Sequence, residues 1–294
     1  MFFLSLTTLV WAFSFSLIGV YLTGHVDSYF SVLVRITLAM IVFLPFLKPR
    51  LIGIKLAIKL MALGAIQLGL MYCFYYHSFL LLSVPEVLLF TVLTPIYVTL
   101  LYDFLQKRFS AWYLVTACIA VLGAIIIKFS HINSDFLMGF LVVQGANICF
   151  AIGQVGYKWV MEKEDTNLSQ RALFGWFYIG AFIVACIAFL LLGDTSKLPT
   201  TITQWGILTY LGIIASGLGY FIWNYAACKV NAGILAIMNN ALVPMGLIVN
   251  IAIWNRDVDY VRLSVGGAII ILSLIFNETW VKRRIKRGRS VFNN

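Results

Sequence analysis

Ten stretches of mostly apolar residues follow one another along this chain with only short polar joints between them. A helix needs about 20 such residues to cross a bilayer's hydrocarbon core. Inside lipid its backbone N–H and C=O groups must be satisfied within the segment. The predicted spans are 2–22, 29–47, 59–81, 84–102, 112–129, 137–158, 172–192, 205–227, 232–254 and 262–280. The first run is long enough to span and has no basic residues before it, so it reads as a helix and not as a signal peptide. Hydrophobic residues make up 62% of the 294, charged residues 11%, and the mean hydropathy is +0.97. A soluble domain of this size needs far more polar surface to cover its core. The sequence therefore predicts an all-α polytopic membrane protein whose surroundings are the lipid bilayer.

The net charge of +10 raises nucleic acid as a partner. The basic residues, however, sit in the joints and in a tail, Lys282–Arg289, where they report orientation and contact with anionic headgroups. No nucleic-acid partner is expected. With the N-terminus inside, sixteen of the 21 Lys and Arg fall on the cytoplasmic side and four on the outer side, with Arg35 alone inside a span. Both termini are thus predicted to be cytoplasmic. The compact joints suggest a bacterial cytoplasmic (inner) membrane.

The spans repeat. The third contains Leu63-Gly64, Leu68-Gly69-Leu70 and Tyr72; the eighth contains Leu211-Gly212, Ser216-Gly217-Leu218 and Tyr220, at a constant offset. Pro95 and Pro244 follow in the next spans, and Trp11-Ala12 matches Phe150-Ala151 more loosely. Five helices are an odd number, so the second half enters from the opposite face. Inverted repeats of this kind place a substrate site near the midplane between the halves.

These features resemble the drug/metabolite transporter superfamily and its EamA-like ten-helix members. The resemblance is carried by Trp11-Ala12-Phe13-Ser14-Phe15, by Arg35 in LVRITLA, by Gly64, Gly69 and Tyr72, and by Thr94-Pro95. Gly212, Gly217, Tyr220 and Val243-Pro244 are the second-half counterparts. It implies two EamA-like five-helix repeats, residues 1–130 and 131–294, around a central cavity. It also implies an exporter of amino acids or related small metabolites. The family's acidic residue beside an Arg after the fourth helix is replaced here by Gln106-Lys107-Arg108, so no role for that acid carries over.

Arg35 is the sharpest single residue, because a cation inside a span is costly unless paired or hydrated. It either holds a substrate carboxylate or pairs with Glu86, with His77 or Glu86 exchanging protons; the structural alternative is an Arg–Glu pair alone. Proline cannot donate to the carbonyl four residues back, so Pro95 frees that of Thr91 and Pro244 that of Asn240. Thr91, Asn239 and Asn240 then become candidate cavity groups, with both prolines as bending points or mere packing kinks. In the sixth span Gln144, Asn147, Gln154 and Lys158 form one polar stripe. The stripe lines the pathway or glues helices together, and Lys158 is expected to snorkel. Tyr72 and Tyr220, at repeated positions, are expected in the cavity wall.

The five cysteines lie singly within apolar runs and imply neither disulfide nor metal. No HExxH, Walker A or GxSxG motif occurs, so no catalytic residues and no cofactor are expected. ATP-driven transport would need another subunit. The leading expectation is a secondary transporter exporting small metabolites by alternating access. The alternatives are a multidrug or cationic-compound exporter selecting through Glu86, or, from another class, an intramembrane enzyme or assembly protein. The sequence leaves the oligomeric state open.

Overall fold

The computed structural model describes residues 1–107, 109, 111–127, 134–164, 168–254, 260–281 and 283. Among these the helices fall into ten consecutive rods. The first is Phe2–Leu17, continued to Leu22; the second is Ser28–Phe43, continued to Phe46. The third joins Ile54–Gly64 to Met71–Leu81, and the fourth joins Val84–Phe90 to Thr94–Leu105. Ala111–Ile127, Ser134–Lys163 and Gln170–Leu192 are the fifth, sixth and seventh. The eighth joins Ile202–Tyr210 to Gly219–Ala227, and the ninth Ala232–Asn240 to Leu242–Trp254. Tyr260–Phe276, continued to Val281, is the tenth.

Local chemistry sets several of the starts. Asp27 accepts from the Phe30 N–H at 2.7 Å, Asn231 from that of Ile234 at 2.9 Å, and Thr201 forms a reciprocal box with Gln204. The outer surface is covered with large apolar side chains such as Leu190, Leu191 and Ile202. Such a surface suits lipid and not water. The boundary drawn at 130/131, Lys128, Arg108, Arg256 and most of the Lys282–Arg289 tail lie outside the described residues.

The packing has a two-fold pattern. The second helix packs on the seventh, the fourth on the ninth and the fifth on the tenth, each pairing a helix with its own counterpart. The third-on-seventh contact recurs as second-on-eighth, third-on-sixth as first-on-eighth, and fourth-on-sixth as first-on-ninth. Two five-helix halves related by exchange, one inverted, produce this set of contacts.

Small residues permit the closest approaches. A methyl group at Gly64 would strike the Phe177 carbonyl, and one at Gly180 the Met61 backbone. At the matching contact Gly212 lies against Leu38 and the Arg35 carbonyl. Since lipid tails are as apolar as leucine, such close packing is what holds helices together in a membrane. The repeated glycine motif also coincides with wider turns. Ala65–Leu70 and Leu211–Leu218 are both π-helical, one in each half. π segments recur where a helix must re-aim side chains near a functional site.

Candidate functional site

Between the halves lies a cavity of about 70 Å³. Small-molecule sites typically run from about 300 to 1,000 Å³, and this cavity is well below that range. Its wall draws on the first, second, third, fourth, sixth, eighth and ninth helices.

Arg35 is its one charged residue among the described ones. The side chain is 2% exposed. Nε donates to Ser216 Oγ at 3.1 Å, Nη1 to the Tyr76 hydroxyl at 2.9 Å and Nη2 to that of Tyr72 at 2.8 Å. Tyr72 and Ser216 also bond each other at 2.8 Å, and the guanidinium carbon stands 4.3 Å from the Tyr72 ring centre. Ser216 sits in the π segment of the eighth helix, whose carbonyls at 216 and 217 accept from Tyr178 at 2.6 and 2.8 Å. Tyr72 follows the π segment of the third. The cation thus joins the two halves through neutral partners. No carboxylate among the described residues lies within ion-pair distance of it. Three of its five N–H groups are used, which leaves two for a ligand. A buried guanidinium with neutral partners only makes the cavity strongly attractive to an anion.

The pairing of Arg35 with Glu86 is corrected. Glu86 accepts from the Ser83 N–H and hydroxyl, both at 2.7 Å, at an exposed helix start. Arg35 bonds Tyr72 and Tyr76 within the third helix, whereas Glu86 stays in the first turn of the fourth. His77 is exposed and stands outside the cavity wall.

Beside Arg35 stands an aromatic wall. Trp11 packs on Tyr220 at 4.6 Å, on Trp223 at 4.9 Å and edge-on to Phe150 at 5.7 Å between ring centres. Its indole N–H is fixed on the Ala215 carbonyl at 2.9 Å. Tyr72 meets Tyr220 edge-on at 5.8 Å. Sequence reasoning named Tyr72 and Tyr220 but missed Ser216 and Tyr76 as partners of Arg35. The signal for Ser216 was available: it is the polar residue where the first repeat has Leu68.

The helix break around Pro95 differs from expectation. Residues Thr91–Leu93 tighten into a 3₁₀ turn, and the Thr94 N–H bonds the Thr91 carbonyl. The carbonyl reached by neighbouring side chains is therefore that of Phe90. It accepts from Asn147 Nδ2 at 2.8 Å and Gln144 Nε2 at 3.1 Å. The polar stripe of the sixth helix thus both seals this break and, at Asn147, lines the cavity. Thr91 and Asn239 line it as well. Gln154 stands behind the wall, accepting from Trp223 Nε1 at 2.9 Å and lying 3.4 Å from Asn239. Asn240 is fully buried with no partner for its amide and is not part of the wall. Pro95 and Pro244 stand at breaks in the fourth and ninth helices. Lys158 does not snorkel. It is buried and pairs with Glu162 at 2.9 Å, where Tyr102 of the fourth helix and Gln106 just past its end also bond.

Comparison with known proteins adds an independent finding. Residues 137–279 match the EamA-like transporter family. Proteins named biotin transporter from Salmonella typhimurium and Escherichia coli are each 51% identical over 282 residues, covering 96% of this chain and 94% of theirs. A solved crystal structure at 15% identity aligns over 95% of this chain and 96% of its own with a TM-score of 0.74. That likeness shows a shared fold.

Proposed function

The chain belongs to the EamA-like transporter family of the drug/metabolite transporter superfamily, and from that premise we propose that it carries biotin, as the monocarboxylate, across a bacterial cytoplasmic membrane. The observation that carries the reading is Arg35, a buried cation whose described partners are all neutral. A carboxylate takes its two remaining N–H groups in a charge-assisted fork. The fused ring of biotin then lies among Trp11, Phe150, Tyr220 and Trp223, with the ureido edge toward Asn147, Asn239 and Thr91. The prolines and π segments lend the helices bending points as the halves rock around the site.

The same geometry argues against the exported amino acid expected from sequence. A zwitterion brings an ammonium group that needs an acceptor of opposite charge, and no Asp or Glu is found in the described cavity wall. A cationic drug meets the same obstacle. Biotin has a carboxylate and no amine. The names of the relatives support it as the substrate.

Reconstituted protein is expected to pass biotin down its gradient without nucleotide, in either direction. Arg35→Ala is expected to abolish that flux with expression retained. Wild-type-like flux in the variant, or amino-acid flux that biotin does not compete, would overturn the reading. The proposed topology keeps both termini cytoplasmic, and labelling that puts Lys55 outside and Lys197 inside would reverse it.

A further inference from the structure

Most polar side chains of the cavity wall are already committed. Thr8, Ser14 and Thr91 donate to carbonyls of their own helices at 2.9, 2.9 and 2.7 Å, and the indoles of Trp11 and Trp223 are bonded as described. Tyr75 differs. It lines the cavity and is 7% exposed, and its hydroxyl has no partner. Among the described residues it is the only wall residue carrying such an unpartnered buried polar atom.

Its ring is clamped edge-on by Phe15 at 5.1 Å and Phe79 at 5.4 Å, so the hydroxyl cannot swing away to water at little cost. Tyr75 stands three residues after Tyr72 and so on the same side of the third helix. Tyr72 is bonded to Arg35. A buried hydroxyl without a partner is a standing cost to the empty protein. A phenol lining the same cavity as a guanidinium is a suitable second donor for a carboxylate.

We infer that Tyr75 is a specificity-determining residue whose hydroxyl donates to the substrate carboxylate alongside Arg35. The inference rests on the proposed biotin reading and adds a residue to it. Loading satisfies the orphaned donor, and the bond is stronger to a charged carboxylate than to the carbonyl of the neutral amide.

The test compares wild type with Tyr75→Phe, purified in detergent, for binding of biotin and of biotin amide, and for thermal unfolding without ligand. Removing the hydroxyl is expected to raise the Kd for biotin roughly ten- to hundredfold. The melting temperature of the empty protein is expected to stay level or rise, because an unsatisfied group has been deleted. The penalty is expected to be clearly smaller for the amide, whose carbonyl is a neutral and weaker acceptor. Unchanged biotin affinity, a lowered melting temperature, or an equal penalty for the amide would each overturn the assignment. If wild type fails to bind biotin, the transport reading itself falls; wild-type binding matched by Tyr75→Phe removes only the role of Tyr75.

Discussion

Replacing Arg35 with methionine separates binding from stability. The substitution keeps an unbranched, shorter apolar side chain and deletes the charge together with three hydrogen bonds of 2.8–3.1 Å. On the binding side, truncating one partner of a buried, hydrogen-bonded charge pair costs about 2–5 kcal/mol. At about 1.4 kcal/mol per tenfold, the biotin Kd rises by roughly thirtyfold to several thousandfold. On the stability side two effects oppose each other. Bonds to a charged group contribute about 1.5–3 kcal/mol each, while keeping a guanidinium out of water costs several kcal/mol. Tyr72 and Ser216 keep their mutual bond of 2.8 Å, so Tyr76 is the partner most exposed to the loss. The net change is small, and the melting temperature of the empty protein is expected within about 5 °C of wild type. Arg35→Lys keeps the charge but not the planar fork, and is expected to fall between the two. The assay is biotin binding by calorimetry beside a thermal melt of the same preparation. Biotin affinity within about threefold of wild type in Arg35→Met would refute the reasoning.

Gly64→Ala drives a methyl group onto the Phe177 carbonyl and should destabilise by about 1–3 kcal/mol; a melting temperature at or above wild type would contradict this packing. Asn147→Leu removes one of the two described side-chain donors to the Phe90 carbonyl, with an expected loss of about 1–2 kcal/mol in the same melt. An unchanged melt would show that the helix break does not need that seal. His77→Ala and Glu86→Gln, both outside the cavity wall, are expected to leave biotin flux within about twofold of wild type, and loss of flux in either would restore a coupling role.

Helix number was legible in the sequence because hydropathy over about 20 residues is set by the bilayer itself. The recurrence of glycine, tyrosine and proline at one offset then disclosed the inverted halves before any contact was known. Side-chain partners were not legible. Glu86 was expected beside Arg35, yet it turns back to Ser83 at its own helix start. Nor was a slip of hydrogen bonding. Proline rules pointed to the Thr91 carbonyl, but a 3₁₀ turn consumes it and passes the exposed position to Phe90. The π segments had only their glycines as a sign, and they bring Ser216 to Arg35. Lys158 read as a snorkelling residue because its partner, Glu162, lies one turn on at a span end counted as solvated.

The central claim is that a buried, carboxylate-free guanidinium between the two halves is the seat of an anionic substrate. An experimental structure of the protein with biotin bound tests it most directly. The account predicts the valerate carboxylate within hydrogen-bonding distance of Arg35 and the fused ring against Trp11 and Trp223. Biotin bound elsewhere, or in this cavity with its carboxylate turned away from Arg35, would contradict it.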